Sequence, residues 1–206
     1  MSGPGVSGQS GLTRILPTLA AFLCGLVLVF GAIVYISGRS VLPIGPAIAA
    51  VGGPFHLEDQ NGKTVSDQDM KGRPFLVFFG FTHCPDICPT SLFELSEVMK
   101  TLGKDADRTG VLFITVDPER DTPAALKDYL SNFDPHLRGL TGDPAAVEAA
   151  LKAYRVYAKK VPLKDGDYTM DHTAVTYLMD KDGRFVAPFN LNRTPEAAAE
   201  QLRGYF

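Results

Sequence analysis

The chain has 206 residues, a length that suits one globular domain plus an appendage. Its formal net charge of −3 and pI near 5.8 leave no basic face, which excludes a nucleic-acid binder. Three cysteines are too few for a disulfide-stapled scaffold, and no repeat or low-complexity tract points to a solenoid.

After a 14-residue tail, Ile15 to Ile36 is a stretch without a charge, flanked by Arg14 and Arg39. At about 1.5 Å per residue it is long enough to cross a ~30 Å hydrocarbon core. The expectation is a single membrane anchor over residues 15–36. The alternatives are a core helix, which would be apolar on every face, and a cleaved signal peptide ending at Ala47-Ile48-Ala49. The apolar stretch exceeds the core of an ordinary signal and stops well before those small residues. Cys24, inside it and preceded by Leu23, reads as a small apolar side chain. A short tail before a large exported domain predicts a bacterial inner-membrane protein with its domain in the periplasm. No amphipathic Arg- and Ser-rich presequence points to mitochondrial import.

Residues 37–52, rich in Gly, Pro and Ala, read as a linker, and residues 53–206 as the domain. Phe55–Gln60 and Lys63–Val65 flank Asn61-Gly62, a hairpin signal in which both turn positions take positive φ. Phe75–Phe79 and Val111–Val116 are apolar runs of strand length, and a short strand is expected near Leu140. Thr90–Leu102 carries apolar residues at helical spacing and stops at Gly103. Thr122-Pro123, Asp143-Pro144 and Thr194-Pro195 each set a capping side chain before a first-turn proline. They open helices over Pro123–Phe133, Pro144–Tyr154 and Pro195–Tyr205. Ala174–Asp180 and Arg184–Phe189 flank Lys181-Asp182-Gly183 as a second hairpin. This order describes an α/β, thioredoxin-like domain.

The chemistry centres on Thr82-His83-Cys84-Pro85-Asp86-Ile87-Cys88-Pro89, directly after the first apolar strand. Thioredoxin-like proteins present reactive sulfur this way, with two residues between the cysteines; here there are three. Cysteines at i and i+4 that open a helix are expected on one helix face, with room for a third ligand. Among four histidines, His56 and His136 read as surface residues, and His83, next to Cys84, reads equally as a group that tunes the thiolates or as a surface or packing residue. His172, in Tyr168-Thr169-Met170-Asp171-His172-Thr173, occupies the loop that lies against the cysteines in thioredoxin-like folds. The other reading of His172 is a packed loop residue without a ligand role. Two thiolates and one imidazole suit copper as Cu(I) or Cu(II). Zinc accepts the same set, but a structural zinc site has four protein ligands and no fourth stands out.

The segment Gly80–Pro89, with Val116-Asp117-Pro118-Glu119-Arg120-Asp121-Thr122 and Asp171-His172-Thr173, resembles the SCO/SenC family in the expected order. These are copper-delivery proteins of cytochrome oxidase assembly. The resemblance implies that Cys84 and Cys88 are thiolate ligands of copper and His172 the imidazole ligand. It also implies delivery to the dinuclear copper centre of cytochrome c oxidase subunit II, with an upstream donor loading the site. The residues of Asp117–Thr122 themselves read as a strand-end turn leading into a helix cap. The enzymatic alternative is a thiol–disulfide oxidoreductase in which Cys84 and Cys88 are redox-active and reduce the oxidase's copper-site cysteines. That chemistry does not require His172. A thiol peroxidase shares the fold, but two thiolates and a histidine fit a metal better.

Overall fold

The computed structural model describes residues 12–39, 51–164 and 166–206, with side chains from 21–35 and from 51 onward. The chain divides into two units, residues 1–48 and 49–206. The Ala47-Ile48-Ala49 site and most of the tail expected over 1–14 and of the linker over 37–52 fall outside the described residues.

In the first unit, helix α1 runs Leu12–Arg39. Its described side chains are apolar and exposed, with Phe22 at 67%, Leu28 at 74% and Phe30 at 69%, and Cys24 is exposed among them. Among the described residues, no helix is long and apolar enough to cross a membrane.

The second unit is built on a seven-stranded sheet. Its strands in chain order are β1 (His56–Asp59), β2 (Thr64–Ser66), β3 (Phe75–Gly80), β4 (Val111–Thr115) and β5 (Leu137–Thr141). After a separate two-stranded sheet of β6 (Ala158–Pro162) and β7 (Tyr168–His172), the large sheet resumes with β8 (Thr176–Met179) and β9 (Phe185–Pro188). The spatial order is β2-β1-β5-β4-β3-β8-β9. Strand β3 is central: it pairs parallel with β4 and antiparallel with β8, and all six of its residues are buried. That is why its sequence is a continuous apolar run rather than an alternating one.

Helices α2 (Ile87–Leu102), α3 (Pro123–Leu130), α4 (Pro144–Ala153) and α5 (Pro195–Arg203) connect or follow these strands. The three proline-led helices begin as the sequence predicts. Thr122, Asp143 and Thr194 accept the backbone N–H of Ala125, Ala146 and Ala197, the free donors of each first turn. Helix α2 packs against α5, and α3 against β5. Phe75, Phe78, Phe79, Phe113 and Tyr154 fill the core and are almost fully buried.

Two expectations change. The β1–β2 turn is not a two-residue turn with positive φ at both positions; only Gly62 takes positive φ, at 78°. Instead, the buried Asp59 carboxylate accepts the N–H groups of Asn61 and Lys63 and shapes the turn. The β6–β7 hairpin was not legible, and His172 is the last residue of β7 rather than part of an open loop.

Candidate metal centre

Strand β3 ends at Gly80, and the chain turns through Thr82 and His83 before α2 begins at Ile87. Cys84 therefore lies ahead of the helix and Cys88 within its first turn. Their i, i+4 spacing suggests a shared helix face, but Cys84 precedes the helix and the two do not share one. The Cys88 backbone N–H instead donates to Cys84 Sγ at 3.4 Å, so sulfur fills the capping role that Asp86 leaves open.

Cys88 is fully buried and Cys84 is 9% exposed. Burial pushes the Cys88 thiol far up, and the hydrogen bond with Cys84 adds to this. A Cβ on Gly80 would stand 2.8 Å from Cys88 Sγ and 2.7 Å from Phe113 Cε2. Glycine at the strand end is thus what lets the sulfur sit against the backbone.

The paired strand β6 brings β7, and with it His172, to the cysteines. His172 Nε2 is 3.8 Å from Cys88 Sγ, and the donor atoms of Cys84, Cys88 and His172 all lie within 4.8 Å of one another. His172 Nδ1 donates to the Thr173 carbonyl at 3.1 Å. A carbonyl only accepts, so Nδ1 carries a proton and Nε2 is the ring nitrogen turned toward the Cys88 sulfur. Phe81 meets the imidazole edge-on at a centroid distance of 5.8 Å.

These three residues form a group that can hold a metal ion. Two sulfurs and one nitrogen, without a fourth His, Cys, Asp or Glu in the group among the described residues, match the donor preference of copper. The other histidines stand apart from the group. His56 is exposed, and His83 lies at the surface with Nδ1 3.0 Å from Thr82 Oγ1. His136 sits between Asp134 and Asp107, at 2.7 and 3.2 Å.

Residues 117–122 do more than turn the chain and cap α3. Asp121 is fully buried, and its carboxylate accepts the Thr82 N–H (3.1 Å), the Thr82 hydroxyl (2.6 Å) and the Thr115 hydroxyl (2.6 Å). Burial raises its pKa, and those three hydrogen bonds oppose the rise. Asp117, also buried, accepts the Tyr168 hydroxyl at 2.9 Å and the Arg120 Nε–H at 2.5 Å. Sequence reasoning missed these roles because the partners lie 39 and 51 residues away.

Comparison with known proteins settles the family. The SCO1/SenC family model matches residues 46–206. This chain belongs to the SCO1/SenC family. It is 41% identical over 156 residues to the SCO2-like protein of Rickettsia felis, covering 75% of this chain and 76% of that protein. It is 43% identical to the mitochondrial protein SCO1 of Saccharomyces cerevisiae, over 74% of this chain and 53% of the yeast protein. Sco relatives thus occur in bacteria and in mitochondria.

Among solved structures, Bradyrhizobium japonicum ScoI with copper bound matches with a TM-score of 0.75 and 68% identity. It covers 76% of this chain and 100% of that one. Yeast Sco1 with copper bound matches with a TM-score of 0.69 and 41% identity, over 76% and 88% of the respective chains. BsSco, a member of the Sco family of cytochrome c oxidase assembly proteins in which a disulfide switch is identified, matches with a TM-score of 0.61 and 26% identity. The coverage there is 77% of this chain and 94% of that one. The second unit thus has the α/β, thioredoxin-like fold of Sco proteins, relatives of which hold copper.

Proposed function

We propose that this protein is a membrane-anchored copper metallochaperone. Cys84 Sγ, Cys88 Sγ and His172 Nε2 would hold the copper as cargo and pass it to the dinuclear copper centre of cytochrome c oxidase subunit II. The observation that carries this reading is the convergence of the three donors within 4.8 Å, with His172 Nδ1 held by the Thr173 carbonyl and Nε2 turned toward the sulfurs. Copper in solved Sco relatives supports the choice of metal.

Burial favours the protonated Cys88 thiol, so copper binding to its sulfur releases a proton. Three protein ligands leave a coordination position for an incoming acceptor thiolate. Ligands can then be exchanged one at a time without free copper being released.

The anchor would be residues 15–36, with a tail over 1–14, a linker over 37–52 and the copper domain over 53–206. The uncharged sequence between Arg14 and Arg39 and the exposed apolar side chains described over 21–35 support that placement. The expected site is a bacterial inner membrane with the domain in the periplasm.

A second reading is favoured by the disulfide switch of BsSco and by the proximity of Cys84 to Cys88. Here the dithiol gives two electrons and two protons to a disulfide in subunit II, becoming a Cys84–Cys88 disulfide itself. Mixing the copper-loaded chain with the metal-free copper domain of subunit II, and following metal and thiols together, separates the two. The chaperone reading expects copper in the acceptor with thiols conserved. Thiols lost from this chain and gained by the acceptor, with copper unmoved, would establish the reductase instead.

A further inference from the structure

The thiolates and the imidazole arrive on separate pieces of the domain. The cysteines follow β3 of the large sheet, while His172 ends the β6–β7 hairpin, none of whose ten strand residues is buried. Ala158 and Met170 pack partly on the core, but much of the hairpin's polar attachment gathers on residues 117–120. Tyr168 is held at three points. Its hydroxyl donates to Asp117, its carbonyl accepts from Arg120 Nη1 at 3.0 Å, and its ring lies 3.8 Å from the Arg120 guanidinium carbon. Lys160 on the partner strand pairs with Glu119.

The same loop holds the cysteine side. Asp121 grips Thr82, two residues before Cys84, through both its backbone N–H and its hydroxyl. The two ends of the loop are tied to each other, since the Asp121 N–H donates to the Asp117 carbonyl at 2.9 Å. Arg120 bridges the middle: among the described residues its buried Nη2 has no hydrogen-bond partner, and its guanidinium carbon lies 3.8 Å from the Tyr168 ring centroid and 6.0 Å from that of Phe81. Phe81 is the ring that meets His172 edge-on.

We infer that residues Asp117–Asp121 are a brace that fixes the spacing between the sulfur and imidazole arms, with Asp117 and Tyr168 as positioning residues for His172. In a strand, residues two and four apart project to one face, so Tyr168, Met170 and His172 share a face of β7. A grip on Tyr168 therefore sets the rotation of the strand and the aim of the imidazole, about 14 Å along it at ~3.4 Å per residue. Because the hairpin is only partly buried, loosening this joint frees His172 while the cysteines keep their places. The brace thus governs how easily copper loses its imidazole ligand during transfer, a consequence that rests on the copper-site reading.

Tyr168→Phe tests this, because it removes one hydroxyl and leaves the ring under Arg120. The full chain in detergent micelles is compared as wild type, Tyr168→Phe, Asp117→Asn and Lys159→Ala, the last an exposed change on the same hairpin. In metal-free protein, NMR relaxation of the His172 ring should show greater motion in the first two variants and none added in the third. Cu(II) affinity should fall roughly tenfold in Tyr168→Phe, the scale of a hydrogen bond to a charged acceptor. Imidazole-nitrogen couplings should weaken while sulfur-to-copper bands persist. A His172 ring equally ordered in Tyr168→Phe and wild type overturns the brace. Wild-type chain that binds no copper overturns the metal reading instead, and the ring relaxation then decides the brace alone.

Discussion

His172 Nε2 stands 3.8 Å from Cys88 Sγ although 84 residues separate them in the chain. Neither residue controls that approach alone. Cys88 is set by the glycine at the end of β3, and His172 by a hairpin that leans on the 117–120 loop. The site is therefore sensitive to residues that donate nothing to a metal.

Gly80→Ala is the sharpest example. The added methyl would press on two buried neighbours, the Cys88 sulfur and the Phe113 ring. Overpacking of this kind costs about 1–3 kcal/mol, and relief would come by moving the sulfur. Urea unfolding should show the loss of stability, and copper titration of the folded fraction should show weaker binding.

Asp121→Asn replaces one acceptor oxygen by an amide donor opposite groups that are themselves donors. Leaving a buried donor unpaired costs about 1–3 kcal/mol. The expected outcome is a destabilised domain with an altered copper(II) spectrum, because Thr82 leads directly into Cys84. Thermal unfolding and absorption spectroscopy check the two effects separately.

The parts of the fold that could be read in advance are those with local causes. Phe75–Gly80 is apolar throughout because both faces are covered, and Thr122, Asp143 and Thr194 cap because each precedes a proline. The β6–β7 hairpin gave no such signal: Lys159, Lys160, Val161 and Pro162 are all exposed, so apolar alternation is missing. Cys84, Cys88 and His172 were legible by residue type and come together as expected, though Cys84 lies outside the helix. Asp117 and Asp121 looked like turn residues because carboxylates usually are. Only tertiary contacts reveal that both are buried and bonded to distant segments.

His136 provides a pH prediction. Its hydrogen bond with Asp134, supplemented by Asp107 and opposed by partial burial, raises its pKa above 6.5. The folded state then holds its proton more tightly than the unfolded state. This stabilisation is fully present below the unfolded value of about 6.5 and disappears as pH rises through the folded pKa. The urea midpoint should fall across that window, and His136→Gln should flatten this part of the profile.

The cysteines should also differ in reactivity. Cys84 retains 9% exposure, whereas Cys88 is fully buried. Iodoacetamide should modify Cys84 at least about tenfold faster than Cys88, since attack needs an accessible thiolate. Peptide mass spectrometry over a time course measures both rates in one sample.

The central claim is that two sulfurs and the His172 imidazole hold copper together. Anaerobic copper titration of the full chain, compared with His172→Ala, tests it most directly. Loss of groups that merely support a ligand lowers metal affinity about 10–100-fold, so loss of the imidazole should cost at least about 100-fold. The account predicts that drop, with sulfur-to-copper bands remaining at high copper. Equal affinity in His172→Ala and wild type would contradict it.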